Sequence, residues 1–454
     1  MEESRAEDSV ESKASSDLSN VKYSSEGLEE QRAMDARTDS EADPGSQNLS
    51  GGAGAPSVVL VGTSFRTAGI AMREQIARRL AKVESDLQSG VGGISEISVL
   101  ATCNRLEVYL ACTEPEEASK SVIARLREPG APSDGFYAKS GFDAIRHLFR
   151  VASGLDSVVI GEEQILQQVR EAGRTARTSG QAKSILSSLF DAAYSSGRRV
   201  RESYGAASAD RSVSSFALKR ALKELGRRPA RVLLIGSGET AKLAALRLKK
   251  SKVYLLSGRR NVSDRFPNAT RIPRRMLREV SSRCDLIIAA TRRSGYVLTS
   301  RELQDRRRTV VLDLGFPRNV DPTLKNSRRV RLYDLDDIAA WAGSGRRANL
   351  AAAEKIAEEE TKKFTSWLTA SRLTPTLANI FKWAERVREE ETIAALRKLP
   401  ELSPHERSIV EAMSKRLTGK LLSPHATFAK QVGDGGDQSE RLLLLESIFR
   451  DESN

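Results

Sequence analysis

The run Arg231-Val232-Leu233-Leu234-Ile235-Gly236-Ser237-Gly238-Glu239-Thr240-Ala241 decides the fold of the middle of the chain. An apolar segment that reads as a buried strand enters a Gly-x-Gly-x-x-Ala turn, and a helical stretch follows to Lys249. In such a turn the first glycine permits the tight bend and the second lets a pyrophosphate approach the backbone. The small third residue lets helix and strand pack closely, with phosphate at the helix N-terminus. The competing reading is a tight β–α turn in a sheet that binds nothing. Further apolar strands at 253–256, 286–289 and 310–313 alternate with helical segments, the pattern of a parallel doubly wound sheet. A Rossmann-like nucleotide domain is expected over residues 206–338, with Gly236, Ser237, Gly238, Glu239, Thr240 and Ala241 as the cradle. About twenty residues beyond this turn an NAD site would place an acid on the ribose hydroxyls. Here the chain reads Ser257-Gly258-Arg259-Arg260. A hydroxyl and two guanidiniums suit a 2′-phosphate, so Ser257, Arg259 and Arg260 point to NADPH rather than NADH. Alternatively, both arginines simply extend a basic surface.

Upstream, ordered structure is expected to begin with a strand at 57–62. A helix is expected over 70–88, strands at 97–100 and 108–110, and mostly helix over 141–225. This defines an α+β unit at about 56–205. Its chemistry-bearing residue is Cys103, just past a strand end in Thr102-Cys103-Asn104-Arg105. A neighbouring cation lowers a thiol's pKa, which suits a nucleophile; a buried, inert cysteine is the other reading. Cys112 and Cys284 lie in apolar stretches and read as core. His147, on an amphipathic helix, reads as a general acid/base, an orienting group or a structural residue. Gly154-Leu155-Asp156-Ser157 and Gly161-Glu162-Glu163-Gln164-Ile165-Leu166-Gln167-Gln168 concentrate polar residues between helices. They serve either to cap helices, with Asp156 or Ser157 at an N-cap, or to line a substrate site. Downstream of Asp337 the apolar residues Leu350, Ala353, Ala357, Phe364, Trp367 and Leu368, then Ile380, Ala384 and Val387, then Ile409, Met413 and Leu417, keep helical spacing. These stripes are too long and thin for a core of their own. They predict an extended helix and a small helical module that buries its face against a second chain, over 339–454. Gly343-Ser344-Gly345 predicts a break or hinge where that helix would begin.

With 454 residues the chain is long enough for two or three domains. Residues 1–55 hold thirteen acidic side chains against five basic ones, so the remainder is more basic than the +13 of the whole chain. That balance favours a polyanionic partner such as a nucleic acid, or else marks a solvated arginine-rich surface. The acidic, Ser- and Gly-rich segment 1–55 cannot bury enough apolar surface to fold and is expected to be disordered. Three cysteines without metal-ligand or disulfide spacing fit a reducing compartment. No apolar run approaches the ~18 residues of a membrane helix. A cytoplasmic protein without a membrane partner is expected.

Taken together, these segments resemble the glutamyl-tRNA reductase family over nearly all of residues 57–425. Ala101-Thr102-Cys103-Asn104-Arg105-Leu106-Glu107 is similar to the family's Ser-Thr-Cys-Asn-Arg-x-Glu signature. The stretch from Arg146 to Leu166 is similar to its second signature, and Arg198-Arg199-Val200-Arg201, Asp313-x-x-x-Pro317-Arg318-Asn319-Val320 and Asp334-Leu335-Asp336-Asp337-Ile338 fall in family order. The resemblance implies an α+β catalytic domain, an NADPH domain, a long spinal helix and an all-α C-terminal dimerisation domain, assembled as a V-shaped homodimer. It implies that Cys103 attacks the ester carbonyl of glutamyl-tRNA(Glu), and that the resulting thioester is reduced by NADPH to glutamate-1-semialdehyde. An aminomutase would then carry this aldehyde towards 5-aminolevulinate and tetrapyrroles. It also implies a glutamate pocket lined by Thr102, Asn104 and Arg105, the last suited to grip a carboxylate bidentately. Ser157, Glu162, Glu163, Gln164 and Gln168 would contact substrate, and His147 would matter for activity. The family usually opens with Asn/Ser-His-Lys/Arg-Thr-Ala-Pro, but this chain has Phe65 and Gly69 where that pattern has His and Pro. Two other classes are a non-catalytic paralogue that binds tRNA or a biosynthetic partner, and an NADP-linked oxidoreductase acting on a small acid. Salt-sensitive tRNA binding distinguishes the latter.

Overall fold

The computed structural model describes residues 56–86, 93–129, 133–159, 161–203, 212–259, 262, 264–303, 308–342 and 350–433. The acidic segment 1–55, Arg260 and the break or hinge expected at Gly343-Ser344-Gly345 lie outside the described residues.

The chain opens with β1 (Ser57–Ser64), α1 (Ile70–Asp86), β2 (Ile94–Ala101), β3 (Arg105–Cys112), α2 (Pro115–Leu126) and β4 (Tyr137–Ser140). The four strands form an antiparallel sheet in the order β2-β3-β1-β4. All eight residues of β3 are buried, because helices cover both faces of the sheet. Side chains alternate across a strand. Accordingly Val59, Val61, Leu106, Val108 and Leu110 join the core under α1 and α2. Val58, Leu60, Tyr109 and Ala111 join the opposite core. That second core is built from α3 (Gly141–Ala152), α4 (Glu163–Thr178) and α5 (Ser184–Ser203), all running through the stretch expected to be helical. Strand β4 lies just before that stretch and was not expected. Its four residues alternate between half-buried and exposed, too short a pattern to stand out.

After α6 (Val213–Leu225) come β5 (Arg231–Ile235), α7 (Glu239–Arg247), β6 (Lys252–Leu256), β7 (Ala269–Arg271), α8 (Leu277–Ser281), β8 (Leu286–Ala289), β9 (Thr309–Asp313) and β10 (Val330–Tyr333). All six strands are parallel, in the order β10-β9-β8-β5-β6-β7. Counted from β5, this is the doubly wound dinucleotide-binding order, with its switch point between β5 and β8. Val232 and Leu234 face one apolar cluster, Leu233 and Ile235 the other, so the sheet is covered on both sides.

The chain ends in α9 (Leu335–Ala342), α10 (Leu350–Lys398) and α11 (Pro404–Gly433). At 49 residues α10 is about 70 Å long. Its first third packs Ala353, Ala357, Phe364 and Leu368 into the core around α3 and α5. Beyond that the helix folds back on α11, with a Ser403–Glu406 capping box at the turn (Ser403 N to Glu406 Oε2, 2.8 Å). Ile409, Met413, Leu417 and Leu421, one helical turn apart, remain more than half exposed. No helix among the described residues is long and apolar enough to cross a membrane.

Candidate active site and nucleotide cradle

The hairpin joining β2 to β3 displays Cys103. Thr102 builds its turn: Oγ1 accepts the N–H groups of Asn104 (3.2 Å) and Arg105 (3.1 Å) and donates to the Arg105 carbonyl at 3.3 Å. Phe65, where the family pattern has His, donates its N–H to the Asn104 carbonyl at 2.8 Å. Its ring packs in the same apolar cluster as Cys103, with Arg66 over the ring at 5.3 Å.

Beyond the turn, β3 points Arg105, Glu107 and Tyr109 to one face, two residues apart. Glu107 is fully buried and carries the densest network in the domain. It accepts from Tyr109 Oη at 2.8 Å and Tyr137 Oη at 2.6 Å, and its Oε1 lies 2.8 Å from His147 Nε2 and 3.0 Å from Arg105 Nη1. Gly62, opposite Glu107 in the register, makes room: a Cβ there would stand 2.8 Å from Glu107 Cγ. Burial would raise the Glu107 carboxyl, but His147 and Arg105, and hydrogen bonds from His147 and Tyr137, hold it far below the usual carboxylate range. Arg105 also donates through Nη1 to Asp156 Oδ2 at 3.1 Å and through Nη2 to the Asp156 carbonyl. Asp156 is therefore not an N-cap but an ion-pair partner, shared with Arg66 Nε at 3.4 Å. The free bidentate fork expected of Arg105 is likewise not the arrangement found, since both terminal nitrogens already hold protein acceptors.

A small cleft, with room for about one water, opens beside this network, lined by Thr102, Cys103, Asn104, Arg105, Ser157, Glu162, Ile165 and Gln168. The structure thus gathers most of the expected site residues from a hairpin, a turn and α4. Gln164 is half-buried outside this lining, the Glu163 side chain is not described, and His147 lies outside the lining too, with Nε2 3.4 Å from Arg105 Nη1. Asn104 lines the cleft, and its Oδ1 is buried without a hydrogen-bond partner. Burial, and then the Glu162 carboxylate, push the Cys103 thiol up to about 12, outweighing Arg73 and Arg105, which pull it down. This corrects the expectation of a cation-lowered thiol: the cations are present, but desolvation is the larger effect. Burial also pushes Glu162 up to about 7, against Arg105 and Arg201. Sequence reasoning passed over Tyr109, Tyr137 and Arg73. The period-2 alternation of Arg105, Glu107 and Tyr109 on β3 was the available signal for the first of these.

In the nucleotide domain, Gly236 has φ 111° and a Cβ there would meet the Ala290 carbonyl oxygen at 2.3 Å, so only glycine fits. Gly238 has open space where its Cβ would stand. It occupies the N-cap of α7 without a side-chain cap, leaving amide donors for an anion. Ser257 at the end of β6 donates to Ser237 Oγ at 2.9 Å and accepts the Arg259 N–H at 3.1 Å; Arg259 itself is exposed. Glu239 pairs with Arg265 at 2.9 Å, Thr240 is half-buried, and Ala241 is fully buried against the sheet. These residues fit a dinucleotide phosphate.

A doubly wound nucleotide domain joined to a cysteine-bearing α+β domain defines an oxidoreductase of the nicotinamide-dependent dehydrogenase class. Family models agree: "Glutamyl-tRNAGlu reductase, N-terminal domain" matches residues 61–204, "Shikimate / quinate 5-dehydrogenase" residues 219–341, and "Glutamyl-tRNAGlu reductase, dimerisation domain" residues 352–451. Among curated proteins, the chain is 33% identical to a glutamyl-tRNA reductase of Nitratidesulfovibrio vulgaris (strain DP4), over 85% of this chain and 92% of that one. The chain belongs to the glutamyl-tRNA reductase family. It is also 33% identical to glutamyl-tRNA reductase 2 of Anaeromyxobacter dehalogenans, over 84% and 89% of the two chains. A solved structure, the glutamyl-tRNA reductase from Methanopyrus kandleri, aligns with 84% of this chain and 98% of its own at 26% identity and a TM-score of 0.44.

Proposed function

We propose that this protein reduces the glutamyl group of L-glutamyl-tRNA(Glu) to glutamate-1-semialdehyde with NADPH, as a cytoplasmic homodimer, at the entry to 5-aminolevulinate and tetrapyrrole synthesis. The observation that carries the reading is the place of Cys103. It lines the cleft and packs against the same apolar cluster as Leu314 and Phe316, just past the carboxyl end of β9. The carboxyl ends of the strands are where such sheets bind dinucleotides, which supports a hydride donor bound on the side of the sheet that faces Cys103. The domain boundaries adopted are 56–205, 206–338 and 339–454, with 1–55 as an extension.

In the first half-reaction, Cys103 Sγ bonds to the ester carbonyl carbon and the tRNA ribose oxygen leaves with a proton. In the second, a hydride reaches the thioester carbon, the C–S bond breaks, and aldehyde and thiolate separate. NADPH would be held by residues 236–241, with Ser257 and Arg259, and Arg260 by its place in the sequence, suited to its 2′-phosphate, and would supply the hydride. Asn104 Oδ1 accepts a hydrogen bond from the glutamyl ammonium. Ser157, Glu163, Gln164 and Gln168 contact the substrate; Thr102 and Arg105 hold the turn and the wall of the pocket, and His147 holds Glu107 and Arg105. The reactive aldehyde suits direct transfer to an aminomutase.

A thiol near 12 is ionised to about one part in 10⁵ at pH 7, so its proton must leave as sulfur attacks. Glu162, at about 7 in the same cleft, is the base for it. Thioester formation should rise with pH through about 7 as Glu162 loses its proton, then level off. Glu162→Gln should erase that limb and slow the step about a hundredfold; a pH profile unchanged by the substitution excludes Glu162 as the base.

The function itself is tested by mixing the protein with glutamyl-tRNA without NADPH and measuring the intact mass. A glutamyl adduct on Cys103, cleared by NADPH far faster than by NADH, is expected. Bound glutamyl-tRNA with no adduct would favour the non-catalytic paralogue.

A further inference from the structure

Arg73 and Glu74, consecutive on α1, each reach across to the nucleotide domain. Arg73 is completely buried. Its Nε donates to the Ala68 carbonyl at 3.2 Å, Nη1 to the carbonyl of Cys103, and Nη2 to Asp336 Oδ1 at 2.5 Å. The Phe316 ring lies 6.0 Å from its guanidinium carbon. The other Asp336 oxygen accepts the Ile70 N–H at 2.7 Å, so a side chain of α9 caps the first amide of α1 from outside its own domain. Glu74 takes the Arg318 backbone N–H through Oε1 at 2.5 Å and the Arg318 guanidinium through Oε2 at 2.7 Å and 3.1 Å. Arg318 and Asp336 follow the carboxyl ends of β9 and β10, the edge at which the sheet binds its nucleotide. One guanidinium thus joins the cysteine turn to the nucleotide domain, and the next side chain ties down the loop after β9.

We propose that Arg73 and Glu74 are positioning residues: with Asp336 and Arg318 they form a latch that seats the nucleotide domain on the cysteine turn, and this latch serves hydride transfer rather than thioester formation. The inference rests on the thioester reading above. Thioester formation uses groups of the catalytic domain alone. Hydride transfer needs the two domains in register to within about an ångström, where small displacements are expensive in rate. A latch that only stabilised the fold would affect both steps alike.

Asp336→Ala and Asp336→Asn, with Arg73→Lys, separate these outcomes in single-turnover measurements on the full chain. Asp336→Ala should form the Cys103 adduct within about twofold of the wild-type rate but clear it with NADPH about tenfold more slowly or worse. Asp336→Asn, which keeps an acceptor, and Arg73→Lys, which keeps the charge but not the three-way reach, should fall between. Parallel loss of both steps, or unchanged clearance, overturns the proposal. If the wild-type protein forms no adduct, it is the thioester reading that fails, and the latch is judged by hydrogen exchange. Asp336→Ala should then speed exchange at residues 70–75 and leave strands β5, β8 and β9 unchanged; equal exchange at 70–75 overturns the latch on its own.

Discussion

Cys103→Ser should lower kcat/KM by about ten-thousandfold or more, with no acyl adduct detectable by mass and NADPH binding intact. The reason is chemical rather than steric. An oxygen nucleophile would merely exchange one ester for another, and an ester accepts hydride less readily than a thioester. A serine hydroxyl is also a far weaker acid than a thiol, so Glu162 would have to remove a more tightly held proton from a site that already pushes a thiol up to about 12. Retention of more than about a tenth of the activity would remove covalent catalysis from this site and leave direct reduction of the ester.

Glu107→Gln carries the largest expected effect on stability. The substitution removes the charge that balances Arg105 in a fully buried setting and mismatches the hydroxyl donors of Tyr109 and Tyr137. Breaking a buried pair of this kind costs about 3–5 kcal/mol. The unfolding transition of the catalytic domain, followed in denaturant, should move accordingly. The pH dependence has a definite sign. The folded carboxyl lies below its ordinary value of 4.5, so its contribution is fully present above about 4.5 and fades as pH falls towards the folded value. The gap between wild type and Glu107→Gln should therefore narrow in acid. A gap that is constant from pH 7 to pH 3 would mean that the fold does not lower the carboxyl at all, and a gap that widens in acid would mean that the fold holds it neutral.

Local chemistry made parts of the site readable before any coordinates. The Gly236 turn is legible because its steric demand is met within one β–α unit. The neighbours of Cys103 mark it as a candidate but leave a nucleophile and an inert core cysteine both open. The resemblance to a known family supplied the expected role of Cys103 and of residues such as Ser157 and Gln168, whose own spacing decides nothing. What stayed hidden depends on contacts between distant residues. Arg73 and Glu74 read as ordinary charges on a helix, since their partners Asp336 and Arg318 lie 263 and 244 positions away. Asp156 stayed open between a helix cap and a substrate lining because its actual partner, Arg105, comes from another element. The upward push on Cys103 was missed because sequence shows neighbouring charges but not desolvation.

The 49-residue helix α10 also acts as a protractor. Its near third is seated among α3 and α5, while its far third holds the hairpin with α11 and the bare apolar stripe of Ile409, Met413 and Leu417. Between the two, each added residue lengthens the arm by about 1.5 Å but swings its far end by about 100°. One inserted residue would barely change the reach and yet aim the stripe at a different part of space. Seven would extend it by about 10 Å and return it to within about 20° of its original heading. Along this arm, relatives should tolerate length changes in heptads more readily than in single residues.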